Sequence, residues 1–129
     1  MMQESLVRQL KRHEGFRSSP YRCSSGKLTI GYGFTYLHED EAEMILRMRI
    51  VKLQNILRRR IRFLSPVRQN VLVNMAFNMG IAGLYSFKKM WRAIERQDFE
   101  KAANEMLNSK WERQVGDRAH QLAKAMKKG

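Results

Sequence analysis

A single cysteine, Cys23, stands among 129 residues, so no disulfide can close within the chain. Proline is nearly as scarce, with two residues. With 43% hydrophobic and 29% charged residues, the chain reads as globular and helical rather than disordered. No apolar run approaches the ~20 residues that span a bilayer, so no transmembrane segment is expected. Met1-Met2-Gln3-Glu4-Ser5 lacks a basic stretch followed by an apolar one. No signal peptide is read there, and synthesis in the cytoplasm is expected, with any export supplied by other machinery. Acidic residues are few: 12 Asp and Glu against 25 Lys and Arg give a net charge of +13. That balance attracts polyanions, whether nucleic acid, an anionic membrane surface or an anionic cell wall. Arg58-Arg59-Arg60 with Arg62 form the densest cluster, and Lys124, Lys127 and Lys128 the next. A solvated helix face and a basic tail account for both without a specific role.

What is present is enough for one domain with a core of its own, residues 1–129. Leu6, Val7 and Leu10 recur at helical spacing, predicting an amphipathic helix over about 3–13 with Glu14 at its end. Residues 18–36 hold most of the turn and strand signals and predict a small sheet of two or three strands. From Glu39 a long helix follows, with Ala42, Ile45, Leu46, Ile50, Leu53, Ile56 and Leu57 as its apolar stripe. Its acidic start and Arg58–Arg60 at its end suit the helix dipole. Ser65-Pro66 is a helix start, and the helix it opens, with Val67, Val71, Leu72, Met75 and Ala76, is expected at the buried centre. Gly80 and Gly83 are expected to break it. Shorter helices are predicted near 84–96, near 98–107 with Asp98 as cap, and over 109–114 and 117–127. The nine methionines, among them Met44 and Met48, read as adaptable core filler.

The stretch His13-Glu14-Gly15-Phe16 to Thr29-Ile30-Gly31-Tyr32-Gly33 carries the chemistry. Eight residues separate Glu14 from Cys23, and five more separate Cys23 from Thr29. Ser24-Ser25-Gly26 is turn chemistry, and Leu28-Thr29-Ile30 a short strand. A hairpin against the helix end would hold an acid, a thiol and a hydroxyl around one cleft. His13, His38 and His120 form no metal set, and His38-Glu39-Asp40-Glu41 lacks the second histidine of a zinc helix, so no metal is expected.

Glu14-Gly15-Phe16-Arg17, then Tyr21, Cys23, Gly26 and Thr29-Ile30-Gly31-Tyr32-Gly33, resembles the signature of the phage-type lysozymes, glycoside hydrolase family 24. The resemblance continues through Ser65–Gln69, Asn74–Gly80, Phe87, Ser109-Lys110-Trp111 and Arg118-Ala119, about residues 5 to 128. It implies an α+β, mostly α, lysozyme-like fold, with a β-lobe at about 15–37 and a helical lobe at about 1–14 and 39–129. It further implies an inverting muramidase, cleaving the β-1,4 bond between N-acetylmuramic acid and N-acetylglucosamine of peptidoglycan. Neither cofactor nor specific nucleic acid would be needed. The protein would be a monomer and would reach the wall after release, with a separate pore-forming partner.

By the same resemblance Glu14 is the general acid, and Arg118 sits against it. Burial would favour the protonated carboxyl such an acid needs, and the arginine's charge would oppose it. Phe77, Asn78, Trp111 and Tyr32 fall at substrate-contacting positions of the cleft. Trp111 can equally be core packing, and Asn78 a buried cap. Most members carry aspartate where Cys23 stands, and some carry cysteine. A free thiol titrates at about 8.5, and Arg22 with the positive surroundings is at hand to stabilise a thiolate. Cys23 would position or activate the water, since direct sulfur attack would leave a thioglycoside resistant to hydrolysis; a small buried apolar role is the alternative. Thr29 would hydrogen-bond that water, although β-propensity alone explains a threonine in a strand. After Gly33 only Phe34–His38 precede the acidic helix start, where relatives place a longer loop or third strand, and phenylalanine replaces their frequent histidine. Two other classes therefore stay open: a catalytically impaired wall binder, and a basic helical protein that binds polyanions.

Overall fold

The computed structural model describes residues 2–129. Its elements run α1 Met2–Glu14, β1 Arg17–Arg22, β2 Leu28–Gly31, α2 Glu39–Ile61, α3 Pro66–Tyr85, α4 Lys88–Glu95, α5 Phe99–Leu107, α6 Lys110–Val115 and α7 Asp117–Lys128. Contacts divide the chain into two compact units, one through Ile45 and one from Leu46. The architecture is mostly helical with one small antiparallel sheet, an α+β lysozyme-like arrangement.

In the first unit α1 ends because Gly15 adopts φ +68° and returns its N–H to Lys11 O at 2.9 Å. That left-handed cap suits glycine and leaves Glu14 as the last helical residue. Strands β1 and β2 pair with Tyr21 opposite Thr29 and Arg22 opposite Leu28, with an irregularity between Arg17 and Tyr21. The sheet has two strands, and the third is reduced to an isolated bridge between Ile30 and Phe34. Helix α2 opens on a cap the sequence reading did not include: Glu41 Oε1 accepts the His38 N–H at 2.8 Å. That return bond satisfies a backbone donor the first turn leaves free.

In the second unit α3 is the buried centre, with Val71, Leu72, Val73, Met75, Ala76 and Leu84 in the core. Ser65 Oγ accepts from Arg68 N at 3.2 Å, and Pro66 takes the first helical position. Gly80 does break the helix (φ 84°, ψ 162°), but Gly83 does not. Gly83 keeps helical φ/ψ with the Met79 side chain over it; a Cβ there would meet Met79 Cγ at 3.0 Å. Beyond the Gly80 kink the helical run of α3 continues to Tyr85, and α4 begins at Lys88 rather than near residue 84. Asp98 Oδ1 accepts from Lys101 N at 3.1 Å and starts α5.

Several expected core residues stand outside it. Val67 is 46% exposed in the first turn of α3, and of the α2 stripe only Leu57 is fully buried. Met44 and Met48 are 70% and 51% exposed, whereas Met75, Met90, Met106 and Met126 fill the core. Part of the arginine cluster has structural work. The Arg60 guanidinium lies 4.0 Å from the Trp91 ring centre and 3.7 Å from Glu95. Arg68 stacks on Phe99 at 3.5 Å and donates to Met126 O at 2.7 Å and Lys127 O at 3.1 Å. It thereby caps carbonyls that the end of α7 leaves without helical partners.

Candidate active site

The first unit holds Glu14 at the end of α1, Cys23 and Thr29 in the hairpin, and Tyr32 just beyond it. The Ile30–Phe34 bridge, with both N–H···O bonds at 2.9 Å, folds residues 31–33 into a tight loop just beyond β2. Gly33 in that loop has φ +78°, and the Glu14 side chain lies directly on it. A Cβ at residue 33 would sit 2.7 Å from Glu14 Cδ. The glycine is thus a seat for the carboxyl, which answers why the motif ends Gly-Tyr-Gly. Glu14 is itself exposed. Tyr32, at the tip, is half-buried, with the Phe16 ring 5.5 Å away and Lys11 Nζ 5.5 Å from its centre.

Cys23 opens the turn between the strands. Gly26 N–H donates to Cys23 O at 2.8 Å, Cys23 N–H to Lys27 O at 2.9 Å, and Gly26 takes φ +84°. This is a three-residue hairpin loop of the common kind, closed by a left-handed glycine. The first position of such a turn favours Asp, Asn or Ser, whose side chains accept from the backbone two residues on. Here sulfur takes that acceptor place. Ser25 Oγ lies 3.0 Å from Cys23 Sγ. The Ser25 hydroxyl, the Thr29 hydroxyl and the backbone N–H groups of Ser25 and Lys27 together lower the thiol to about 6. Arg22 contributes differently from expectation: its guanidinium is spent on Gly26 O at 2.9 Å and braces the turn.

Thr29 is the buried polar residue of this unit, 3% exposed. Its Oγ1 has one proton, donated to Lys27 O at 2.9 Å or turned toward the sulfur. The same hydroxyl favours the anionic form of the Cys23 thiol. Ser25 went unnoticed in the sequence. Its signal was its place as the third residue of a turn opened by Cys23 and closed by Gly26.

The remaining candidates belong to the second unit and fall into two groups. Trp111 is 5% exposed, packs edge-on against Phe87 at 6.2 Å, and donates Nε1–H to Asn78 Oδ1 at 2.8 Å. The packing role describes Trp111 as it lies here, and Asn78 satisfies the indole while keeping its amide N–H groups free to donate. Phe77 is exposed and lines a groove of about 460 Å³ with Ile50, Val73, Asn74 and Arg118. The Arg118 guanidinium donates to Asn74 Oδ1 from Nε at 3.0 Å and from the Nη2 nitrogen at 2.7 Å. Asn74 thus fixes the arginine, a role the sequence reading had not given it.

The unit thus carries an exposed carboxyl on a helix end and a hairpin bearing a thiol lowered to about 6 and a buried hydroxyl, groups able to give and accept protons. Comparison with known proteins supplies the family. The phage lysozyme family model matches residues 11–128, and the chain belongs to that family. Lysozymes are glycoside hydrolases of peptidoglycan. The chain is 28% identical over 112 residues to an endolysin of Acyrthosiphon pisum secondary endosymbiont phage 1, covering 79% of this chain and 73% of that protein. It is 32% and 34% identical over 66 residues to probable T4-type lysozymes 1 and 2 of Dictyostelium discoideum. Those alignments cover 51% of this chain and 39% of each relative. No described helix is long and apolar enough to cross a membrane.

Proposed function

We propose that the chain is an inverting muramidase, with Glu14 as general acid and Cys23, assisted by Thr29, as the base that directs water. The observation that carries this reading is Cys23 Sγ held 3.0 Å from Ser25 Oγ in the hairpin turn, its thiol lowered to about 6, with Glu14 lying on Gly33 just beyond the same hairpin. A base titrating there is thiolate at neutral pH and still close enough to operating pH to accept a proton efficiently.

The step balances without a cofactor. Glu14 gives its proton to the departing glycosidic oxygen while water attacks the anomeric carbon from the opposite face and loses a proton to the thiolate. Exchange with solvent then restores carboxylic acid and thiolate. The bond broken is the β-1,4 link from N-acetylmuramic acid to N-acetylglucosamine. Phe77 and Asn78 are assigned to binding the glycan. The protein acts as a monomer on the wall after release, reached with the help of a separate pore-forming protein.

The test is release of reducing ends from purified peptidoglycan, with the anomeric configuration of fresh product read by NMR. Wild type is expected to release α-anomeric ends, and Glu14→Gln to release none while keeping its circular dichroism. Equal release by both would remove Glu14 from the chemistry.

A further inference from the structure

Among the groups that lower the Cys23 thiol, only one is free of any duty to the fold. The Ser25 and Lys27 amides belong to the turn itself, and Thr29 Oγ1 donates to Lys27 O at 2.9 Å. Ser25 Oγ, at 3.0 Å from Sγ, has the sulfur as its partner and sits on an exposed loop tip where a serine is not needed for packing. The turn presents it there. Gly26 N–H on Cys23 O at 2.8 Å curls the chain so that the third residue's side chain faces the first's.

We propose that Ser25 is a positioning residue for the hydrolysis: its hydroxyl donates to the Cys23 sulfur, fixes the sulfur's direction and holds it in the anionic form that accepts the water's proton. The proposal rests on the reading of Cys23 as base. Geometry separates Ser25 from the other groups near the sulfur. Arg22 is held by Gly26 O, Arg17 lies over the Tyr21 ring at 4.4 Å, and Lys27 reaches the sulfur through its backbone. No guanidinium competes for the role. Once the sulfur has taken the proton from water, the Ser25 hydroxyl can turn to accept from the thiol, so it stays bonded through the cycle.

The test compares wild type with Ser25→Ala, Ser25→Thr and Ser24→Ala by two readouts. One is the rate of Cys23 alkylation by iodoacetamide against pH, which needs no substrate. The other is the acid limb of peptidoglycan hydrolysis against pH. Loss of one hydrogen bond to an anion should move the alkylation midpoint of Ser25→Ala upward by about one pH unit. The acid limb of hydrolysis should move with it, Ser25→Thr should restore both, and Ser24→Ala should change neither. An unmoved alkylation midpoint in Ser25→Ala overturns the hydrogen-bond role. A moved midpoint with an unmoved acid limb also overturns the proposal, but differently: the bond exists and Cys23 is not the base, which removes the proposed function's assignment instead.

Discussion

Replacing Gly33 by alanine adds one methyl group, and the structure says where it goes. Built on the backbone, that carbon lies 2.7 Å from Glu14 Cδ and 3.3 Å from Cγ. Carbon atoms in ordinary contact stand about 3.5–4.0 Å apart, so the carboxyl must retreat by about 1 Å. Two effects follow. The left-handed φ of +78° costs an L-residue about 1–2 kcal/mol, a stability loss a folded domain survives. A misplacement of about 1 Å at a catalytic group costs about 100-fold in rate. Gly116→Ala is the control for backbone strain alone: its φ of +57° with ψ −120° lies outside the regions open to L-residues, and no atom lies within 4 Å of the added carbon. The expected pattern is a drop in melting temperature for both variants, with kcat/KM on peptidoglycan about 100-fold lower for Gly33→Ala alone. Gly33→Ala within threefold of wild type would refute the seating of Glu14 on that glycine.

Gln97, at φ +60°, joins α4 to α5 with its N–H on Ile94 O at 2.9 Å, while Asp98 N–H reaches Ala93 O at 2.8 Å. Glycine is the usual occupant of that helix-ending position, so Gln97→Gly should raise stability by about 1 kcal/mol in thermal or urea unfolding. The lowered thiol of Cys23 links folding to pH: the folded chain loses the thiol proton near 6, and the unfolded chain only in the ordinary thiol range. The contribution is therefore complete above that range and disappears as pH falls through about 6. Wild type minus Cys23→Ala stability, from urea unfolding, should grow as pH rises across that window; a flat difference would refute the anionic sulfur.

Elements with a chemical punctuation mark were legible in the chain. Ser65-Pro66 starts α3, Asp98 starts α5, and Gly15 stops α1, because capping residues act through neighbours in sequence. Glycine alone was less readable. Gly80 and Gly83 look alike in sequence, and only Gly80 leaves the helical conformation. Burial along α2 was the weakest reading, since a continuous apolar stripe does not say which of its turns meets a neighbour. Leu57 is buried, and Ile56 beside it is 56% exposed.

For the candidate site, Glu14, Cys23 and Thr29 could be picked out by spacing. What fixes them could not. The stabiliser of the sulfur was expected among the cations, at Arg22, because charge is visible in a sequence and a turn's inward side is not. Asn74 was missed for a related reason: its bonds to Arg118 join residues 44 positions apart.

The grip of Arg68 on the carbonyls of Met126 and Lys127 spans 58 and 59 residues of sequence. Everything from α4 to α6 lies inside that span, so the bond must close a loop that contains all of them. Contacts of such reach slow folding relative to local ones. A chain partway through synthesis has α3 ready and its clasp still missing. The clasp on α3 therefore waits for α7, although α3 itself is synthesised well before it.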